Sequence, residues 1–261
     1  MSNDLLEQMN AILRPFTKLG LGQFGDDRFA ERRDRKFPCD VENIGDIIKG
    51  LYEHYDLVVP VENPVSSIGT LYFDTPEFDF YREHHRGKSN RHKVRFRKYP
   101  DTKTSFLEIK KKSPKGITLK ERVESPFQLD SIDQSLEAFL GLNGIDAPND
   151  LTSVLEVNYQ RYSFISKDRE ERFSVDFAVE FSDGKKSGTF GSLAIFEVKQ
   201  PRYMTSPIVK RLRQNGIREK SLSKYCLSLS TLKPKLKSNR FKPALRNLQA
   251  LFHAQIHTSN T

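Results

Sequence analysis

The sequence predicts an α+β fold, in which about eight antiparallel strands form one sheet and helices pack outside it. Many short segments alternate between apolar and polar residues, as half-buried strands do. Only two to four residues separate several of these segments, as at Pro100–Asp101 and 113–116, and such short connections favour antiparallel neighbours. The 261 residues include 19 Phe and 9 Tyr and are 36% hydrophobic, which is enough for a sizeable core.

The first ninety residues are predicted to contain, in order, a helix at 4–16, a strand at 32–39, a helix at 42–55, a strand at 67–75 and a helix at 76–85. The apolar residues of the first helix share one face, at Leu5, Met9, Ile12 and Leu13. Pro38 is expected to end the first strand. Thr75 and Pro76 have the pattern of an N-cap and a first helical turn, and Gly87 is a plausible stop.

The remainder is predicted to contain strands at 91–99, 104–112 and 117–125, a helix at 131–142, strands at 152–168, 171–181 and 191–200, and helices at 206–216 and 243–252. The two groups of strands form two meanders, and the second is interrupted at Lys167–Asp168 and 182–184. Pro207 lies in the first turn of its helix and Gly216 at the end.

No composition shift divides residues 30 to 230, so the predicted organisation is an N-terminal helix and linker at 1–27, one domain at 28–230 and a basic tail at 231–261. Residues 20–25, "GLGQFG", match a dinucleotide-binding glycine pattern. That interpretation requires a strand before the glycines and a helix after them. Here a helix precedes and a charged segment follows, so we reject it.

The net charge of +9 and the pI near 9.4 indicate an anionic partner, such as nucleic acid, a phosphate compound or an anionic membrane surface. No apolar run approaches the ~18 residues that span a bilayer. The N-terminus carries acids where a signal peptide carries bases. Cys39 and Cys226 are far apart and in no metal-binding spacing, which favours a reduced, cytoplasmic setting.

The segment "RHKVRFRKY", residues 91–99, has an unusual division of charge. As a strand, it places on one face Arg91, Lys93, Arg95, Arg97 and Tyr99. Neighbouring like charges repel, so strands usually avoid this arrangement. The same division into an apolar and a mostly cationic face recurs in at least five further strands, and the acids among the cations recur as Glu108-x-Lys110 and Glu197-x-Lys199.

A solvated sheet face would produce some of this pattern, but it would mix basic, acidic and neutral residues more freely. If the sheet closes into a barrel, the cationic faces line its lumen. Arginine and lysine side chains bind phosphate oxygens well. A few carboxylates among them could hold a hard divalent cation that bridges to phosphate.

The chain resembles the VTC domain of the CYTH, or triphosphate-tunnel, superfamily. The resemblance covers about residues 28–228 and rests on the order and spacing of "LYFDTPEFDFYREHH", "RHKVRFRKY", "FLEIKKK", "YQRYSF", "RFSVDF", "FEVKQP" and "SLSKYC". It implies a closed antiparallel β-barrel whose tunnel holds a triphosphate chain and a divalent metal. For the VTC branch it implies a polyphosphate polymerase that transfers the γ-phosphate of ATP to a growing polyphosphate chain, with Mn²⁺ (or Mg²⁺) as cofactor.

Carried over by position, the resemblance assigns catalytic contacts with phosphate to Arg95, Arg97, Lys110, Lys120, Arg161 and Arg172. Further phosphate-binding positions are Arg32, Lys36, Tyr159, Lys199, Ser223 and Lys224. Glu197 corresponds to the metal ligand. Glu108 has an alternative structural interpretation, as the ion-pair partner that keeps Lys110 in place.

One departure bears on the reaction. Hydrolytic members of the superfamily usually begin with Glu-x-Glu-x-Lys, and the corresponding positions here are Arg32, Asp34 and Lys36. Replacement of the first acid resembles the polymerase branch and leaves the metal more dependent on Glu197. The expected partners are therefore ATP and inorganic polyphosphate or pyrophosphate.

Three alternatives remain open. A metal-dependent triphosphatase would use nearly the same residues. A non-catalytic polyphosphate-binding module would need the cations but not Glu197. Nucleic-acid binding is the least favoured, because no helix-turn-helix, zinc-finger or RRM signature is present, although the basic tail could contact an anion.

Overall fold

The computed structural model describes residues 3–20, 22, 33–112, 118–127, 131–145 and 150–258. Its helices are α1 (Asn3–Leu13), α2 (Ile44–Ile48), α3 (Asp79–Arg86), α4 (Gln134–Leu142), α5 (Pro207–Gln214), α6 (Lys224–Leu232) and α7 (Lys242–Phe252). No helix in these ranges is both long enough and apolar enough to cross a membrane.

The strands in the same ranges are β1 (Lys18–Leu19), β2 (Arg33–Asp40), β3 (Tyr55–Val58), β4 (Ser66–Asp74), β5 (Arg91–Tyr99), β6 (Thr104–Lys112), β7 (Thr118–Ser125), β8 (Thr152–Ser166), β9 (Arg172–Ser182), β10 (Lys186–Thr189), β11 (Leu193–Gln200) and β12 (Gln255–Thr258).

The described strands form one sheet. Eight of them are paired in the order β2–β11–β9–β8–β4–β5–β6–β7, and each of these pairs is antiparallel. β3 pairs with the far end of β8, and β10 and β12 extend the sheet beyond β9. The predicted α+β class and antiparallel sheet are confirmed.

The predicted closure of this sheet into a barrel is not confirmed, because no pairing joins β2 to β7 among the described residues. The outer edge of β2 is instead occupied at one point by the chain between α5 and α6. There the backbone N–H of Lys220 donates to the carbonyl of Lys36 at 2.8 Å.

Three apolar clusters hold the helices on the sheet. The first joins α1, α2 and α5 to β2, β9 and β11 around Phe173 and Phe196. The second surrounds Tyr225 of α6, and the third packs α4 against β5 and β6 at Phe96 and Leu107. Burial of side chains as large as these contributes about 1.5–3 kcal/mol each before entropy is counted. Each helix is thereby fixed by its apolar face.

The strands of both meanders are confirmed within one or two residues, and so are the helices predicted at 206–216 and 243–252. The helix predicted at 4–16 is confirmed, but it ends three residues early, at Leu13. Gly87, in the left-handed conformation at φ 72°, ends α3 as expected. The helix predicted at 131–142 begins at Gln134, where the Asp133 side chain accepts from the N–H of Leu136 at 3.0 Å. The glycine pattern at 20–25 falls largely outside the described residues.

Two predicted boundaries are wrong. The helix expected at 42–55 is only five residues long as α2, because Gly50 adopts φ 81° and breaks it, and the chain then enters β3. The strand expected to end at Pro38 continues to Asp40. Proline is tolerated there because β2 has one partner, β11, among the described strands, so the missing N–H faces an edge.

The start of α3 is also wrong. The helix begins at Asp79 rather than at Pro76, because Phe78 adopts a left-handed φ of 60°. The buried carboxylate of Asp74 takes over the capping role, since it accepts from the N–H groups of Phe80 and Tyr81, both at 2.9 Å. It also accepts a hydrogen bond from the hydroxyl of Tyr225. Asp74 therefore ties β4, α3 and α6 together.

Four elements were not predicted besides β3: β1, β10, β12 and α6. The most important is α6, whose sequence "KYCLSLSTL" is rich in serine and threonine and has weak helical periodicity. It is specified by tertiary contacts, because seven of its nine residues are buried. The hydroxyl of Ser223 caps it by accepting from the N–H of Cys226 at 3.3 Å.

We expect Asp74→Ala to lower the free energy of unfolding by at least about 3 kcal/mol, because it leaves several buried donors unsatisfied. Chemical denaturation measures this. Asp79→Ala, which removes an exposed carboxylate at the start of α3, is the matched control and should cost about 1 kcal/mol or less. Equal losses for the two variants would contradict the role assigned to Asp74.

Candidate phosphate-binding site

The cationic faces of the strands meet on one concave surface, which we call the basic face. Strand register defines its members, since directly paired residues point to the same side of a sheet. Its basic residues on the strands are Lys36 (β2), Arg91, Lys93, Arg95 and Arg97 (β5), Lys110 and Lys112 (β6), Lys120 and Arg122 (β7), Arg161 (β8), Arg172 (β9) and Lys199 (β11). Lys224 of α6 joins them through its contact with Asp176 of β9. The predicted alternation of cations is thus brought to a single surface.

The sheet is curled, so that strands far apart along its path lie near each other across the basic face. Glu197 of β11 raises the pKa of Lys110 on β6, although burial and Arg95 outweigh it and hold that pKa well below the usual lysine value. Burial, Arg91 and Arg33 of β2 together lower the pKa of Lys112, at the end of β6. Direct contacts agree with this arrangement, because Lys36 of β2 and Lys93 of β5 donate to neighbouring residues, the carbonyl of Leu222 at 2.9 Å and Ser223 Oγ at 3.1 Å.

The first group of cations on the basic face surrounds Glu108. Its carboxylate accepts from Arg95 Nε at 2.9 Å and Nη2 at 2.6 Å, and Lys120 Nζ lies 2.7 Å away. Burial opposes ionisation of Glu108, but Arg95, Arg97 and Lys120 hold its pKa well below the usual range. Glu108 therefore keeps Arg95 and Lys120 in place. Toward Lys110, the ion-pair partner that the sequence suggested, it acts through its charge, which raises the pKa of that lysine against the larger effect of burial.

The second group surrounds Tyr159. Arg97 Nη1 donates to the phenol oxygen of Tyr159. The ring centroid lies 4.3 Å from Lys224 Nζ and 5.4 Å from the guanidinium carbon of Arg161, so cations also approach its π-face. Tyr159 accordingly spaces three cations that would otherwise crowd one another.

The third group is an ion cluster around Asp176, which is 1% exposed. Arg161 engages it with a two-pronged contact, Nε to Oδ1 at 2.5 Å and Nη2 to Oδ2 at 2.8 Å, and Lys224 Nζ also contacts Oδ2. Burial works against the charge, but Arg161 and Lys224 lower the pKa of Asp176 to about 2. Asp176 is thus ionised and fully engaged by protein cations.

Glu197 is surrounded by cations at somewhat longer distances. Arg161 Nη2 lies 3.7 Å and Lys36 Nζ 3.9 Å from its carboxylate. Despite burial, Lys199, Lys36 and Arg161 hold its pKa well below the usual range. Glu197 is therefore an ionised carboxylate that shares its cations with Asp176 instead of forming one tight pair.

Glu197 meets the chemical requirement for a ligand of a hard divalent cation. Among the described residues, however, no three His, Cys, Asp or Glu side chains form a group that could hold a metal. Asp176 is engaged by Arg161 and Lys224. A metal here would fit as Mg²⁺ commonly does, bound by one carboxylate and otherwise by substrate phosphates and water.

Several buried polar atoms on the basic face lack a partner within the part of the chain that the structure describes. They are Arg97 Nε, Thr70 Oγ1 and Ser174 Oγ. Thr70 is paired directly with Arg97 in the β4–β5 register, and Ser174 with Glu197 in the β9–β11 register. Buried polar atoms are rarely left unsatisfied, so these three are available to ordered water or to a polar ligand.

The N-terminus of α6 completes one side of the basic face. Lys93 Nζ donates to Ser223 Oγ at 3.1 Å, and Lys36 Nζ donates to the carbonyl of Leu222 at 2.9 Å. Tyr225 packs on Tyr72 with ring centroids 4.9 Å apart. The segment 222–225 thus spans from β2 to β5, and the predicted positions Ser223 and Lys224 both lie on the site.

The predicted positions Arg172 and Lys199 stand directly opposite each other in the β9–β11 register, at the end of the basic face. Arg32 lies outside the described residues. Sequence reasoning did not assign a role to Lys93, Asp176 or Thr70. The alternation of β5 and β9 already placed Lys93 and Asp176 on the cationic face, whereas Thr70 carried no signal.

The fold and the site thus consist of an antiparallel sheet with helices packed on it and a buried cationic surface on one face. The chain belongs to the VTC domain family, whose family model matches residues 31–233. A comparison with curated protein sequences found no match.

Solved structures with a related arrangement include a candidate adenylate cyclase of Vibrio parahaemolyticus, with 13% identity and a TM-score of 0.44 over 76% of this chain and 97% of that one. A candidate adenylate cyclase of Bacillus halodurans is 14% identical, with a TM-score of 0.44 over 74% of this chain and 95% of that one. A candidate adenylyl cyclase of Hippeastrum, described as having a dominant triphosphatase activity, is 15% identical, with a TM-score of 0.45 over 77% of this chain and 96% of that one.

We expect phosphate-chain binding to be coupled to protonation of Lys110. Its pKa is depressed in the free protein, and a bound polyanion would raise it, so binding takes up a proton between the two pKa values. Affinity for tripolyphosphate should therefore fall as pH rises through that window. Calorimetry in buffers of different ionisation enthalpy measures the proton uptake.

Lys110→Met should reduce this uptake, whereas Lys111→Met, whose side chain lies on the opposite face of β6, should not. Proton uptake that is unchanged in Lys110→Met would remove Lys110 from the coupling.

Proposed function

We propose that the protein is a polyphosphate polymerase that transfers the γ-phosphate of ATP to a growing inorganic polyphosphate chain on the basic face. The observation that carries the proposal is the buried cation surface itself, with its unpartnered Arg97 Nε, in a chain of the VTC family. Burial of so many like charges is costly unless an anion joins them. A flexible, linear phosphate chain can enter a concavity of this kind.

The same charge distribution suggests how the reaction is assisted. Phosphoryl transfer depends mainly on alignment and on stabilisation of charge at the equatorial oxygens. Arg95, Arg97 and Arg161 are already held by Glu108, Tyr159 and Asp176, so little reorganisation is required when substrate binds. Lys110, Lys120 and Arg172 would neutralise adjacent phosphates.

The acceptor in this proposal is a terminal phosphate, which is already anionic. No general base is then essential, which agrees with the histidines: burial first, and Lys93 and Arg91 next, lower the pKa of His84 to about 2 and keep it neutral. The remainder of the chain would be bound by Arg32, Lys36, Tyr159, Lys199, Ser223 and Lys224.

Glu197 is the residue that would hold a divalent metal, Mn²⁺ or Mg²⁺, with phosphate oxygens completing its coordination. Such an ion would supply positive charge that offsets the charge of the phosphate groups. We also propose that the curled sheet encloses the chain as a tunnel, with residues 218–224 forming part of the wall beside β2.

The experiment that tests the function is product analysis after incubation with ATP and Mn²⁺. A polymerase yields acid-insoluble phosphate that an exopolyphosphatase degrades. Release of free phosphate alone would instead assign the site to a triphosphatase, whose residues would be nearly the same.

Arg97→Ala should lower the rate of polymer formation by at least ~10-fold if this side chain contacts the transferring phosphate. Lys98→Ala, the next residue on the opposite face of β5, is the matched control and should keep most of the activity. Full activity in Arg97→Ala would remove this arginine from the site.

Glu197→Gln should abolish metal-dependent turnover while tripolyphosphate still binds, since the cations remain. The assays are turnover at several Mn²⁺ concentrations and calorimetric binding without metal. The exposed Glu156→Gln serves as control. If neither wild type nor variant turns over ATP but both bind the chain, the protein is a binding module.

A further inference from the structure

A second cavity, of about 410 Å³, lies on the side of β2 opposite the basic face. We call it the outer cavity. Its lining includes Arg35, Phe37, Arg213, Ile217, Arg218 and Glu219. Arg35 and Phe37 alternate along β2 with Lys36, which belongs to the basic face, so the two sites use opposite sides of the same strand. The outer cavity therefore does not belong to the site described above.

The outer cavity contains more positive than negative charge. Its single lining carboxylate, Glu219, accepts from Arg35 Nε at 2.9 Å. Arg213 and Arg218 are exposed, and among the described residues neither guanidinium has an ion-pair partner. Two guanidinium groups are thus available at the cavity rim, and guanidinium forks match the oxygens of a phosphate group.

A line of cations connects the outer cavity to the end of the basic face. The guanidinium carbons of Arg33 and Arg35 lie 5.2 Å and 5.4 Å from the ring centroid of Tyr203, which is 63% exposed. In the β2–β11 register Arg33 is paired with Gln200, the neighbour of Lys199 on the basic face. Arg33 therefore lies at the end of the basic face, and its contact with Tyr203 links it to Arg35 of the outer cavity.

The backbone provides a second connection. Residues 216–219 line the outer cavity, and the same chain then crosses the edge of β2, where the Lys220 N–H and the Leu222 carbonyl contact Lys36. It reaches the basic face at Ser223 and Lys224. Because the described edge of β2 carries no strand partner at this point, only this short segment separates the two cationic sites.

We propose that the outer cavity is a second phosphate-binding site, which holds the part of an inorganic polyphosphate chain that extends beyond the basic face. The identity of the ligand rests on the proposed function, whereas the site rests on the cavity and its arginines. The contacts are charge-assisted, with Arg213 and Arg218 as the principal donors. The apolar floor at Phe37 and Ile217 sets the depth of the site rather than the charge of its ligand.

The test compares binding of a long-chain polyphosphate and of tripolyphosphate by calorimetry. A chain that reaches both sites gains affinity over one that fills only the first. We expect Arg213→Ala/Arg218→Ala to weaken long-chain binding by at least ~10-fold, the loss of two charge-assisted contacts, while tripolyphosphate affinity stays within about 2-fold. Both residues are exposed, so the variant should fold.

The matched control is Lys242→Ala/Arg246→Ala on α7, which removes two exposed charges that do not line the outer cavity. Equal effects of the two pairs would show non-specific attraction and overturn the proposal, as would unchanged long-chain binding in the Arg213/Arg218 pair. If Arg213→Ala/Arg218→Ala lowered the affinity for ATP but left long-chain binding unchanged, the cavity would be assigned to nucleotide phosphates. That result would also overturn the proposal.

Failure of the proposed function is distinguishable from failure of this inference. A protein that forms no polymer from ATP, yet loses its long-chain advantage in Arg213→Ala/Arg218→Ala, would refute the polymerase and support the outer cavity. Conversely, the protein could form polymer from ATP while the variant binds every chain length as wild type does. That result would support the polymerase and refute the outer cavity.

Discussion

Mutual repulsion among buried cations is the constraint on which the rest of the structure depends. The protein offsets it with three ionised carboxylates, each placed among several cations: Glu108, Asp176 and Glu197. These acids fix the positions of the arginines without neutralising the whole surface. What remains is a positive potential in a low-dielectric concavity, where each unit of charge acts more strongly than it would in water. The ion pairs that fix the arginines are thus also what leaves this surface positively charged.

The architecture keeps these charges close by curling the sheet and by anchoring α6 at its concave side. Asp74 is central to that anchoring, since it binds the backbone of α3 and the hydroxyl of Tyr225 while it remains buried. The apolar residues that surround Tyr225 then hold the Ser223 end of the helix against Lys93. Packing at one end of the concavity therefore sets the polar geometry at the other.

The sequence predicted what is local and left out what is distant. Period-two alternation in residues 91–99 and 104–112 correctly gave both the strands and the face of their cations, because side-chain direction follows from backbone geometry alone. The α6 helix escaped prediction, since burial rather than periodicity specifies "KYCLSLSTL". Gly50 ends a predicted helix because it adopts a left-handed conformation. Glycine permits that conformation, but the local sequence does not require it. The ion pairs of Asp176 depend on register across several strands, which no local pattern contains.

The position of β2 explains why cations occur on both of its sides. In the interior of a sheet, a strand separates the two faces completely, whereas a strand at an edge can be passed by a ligand. Among the described residues β2 pairs with β11 alone, and the segment 218–222 makes only isolated contacts along its other edge. Lys36 and Arg35 therefore present charge to surfaces that meet around one exposed edge. The polyphosphate chain of the proposed function is linear and flexible, so it could follow such a path from one surface to the other.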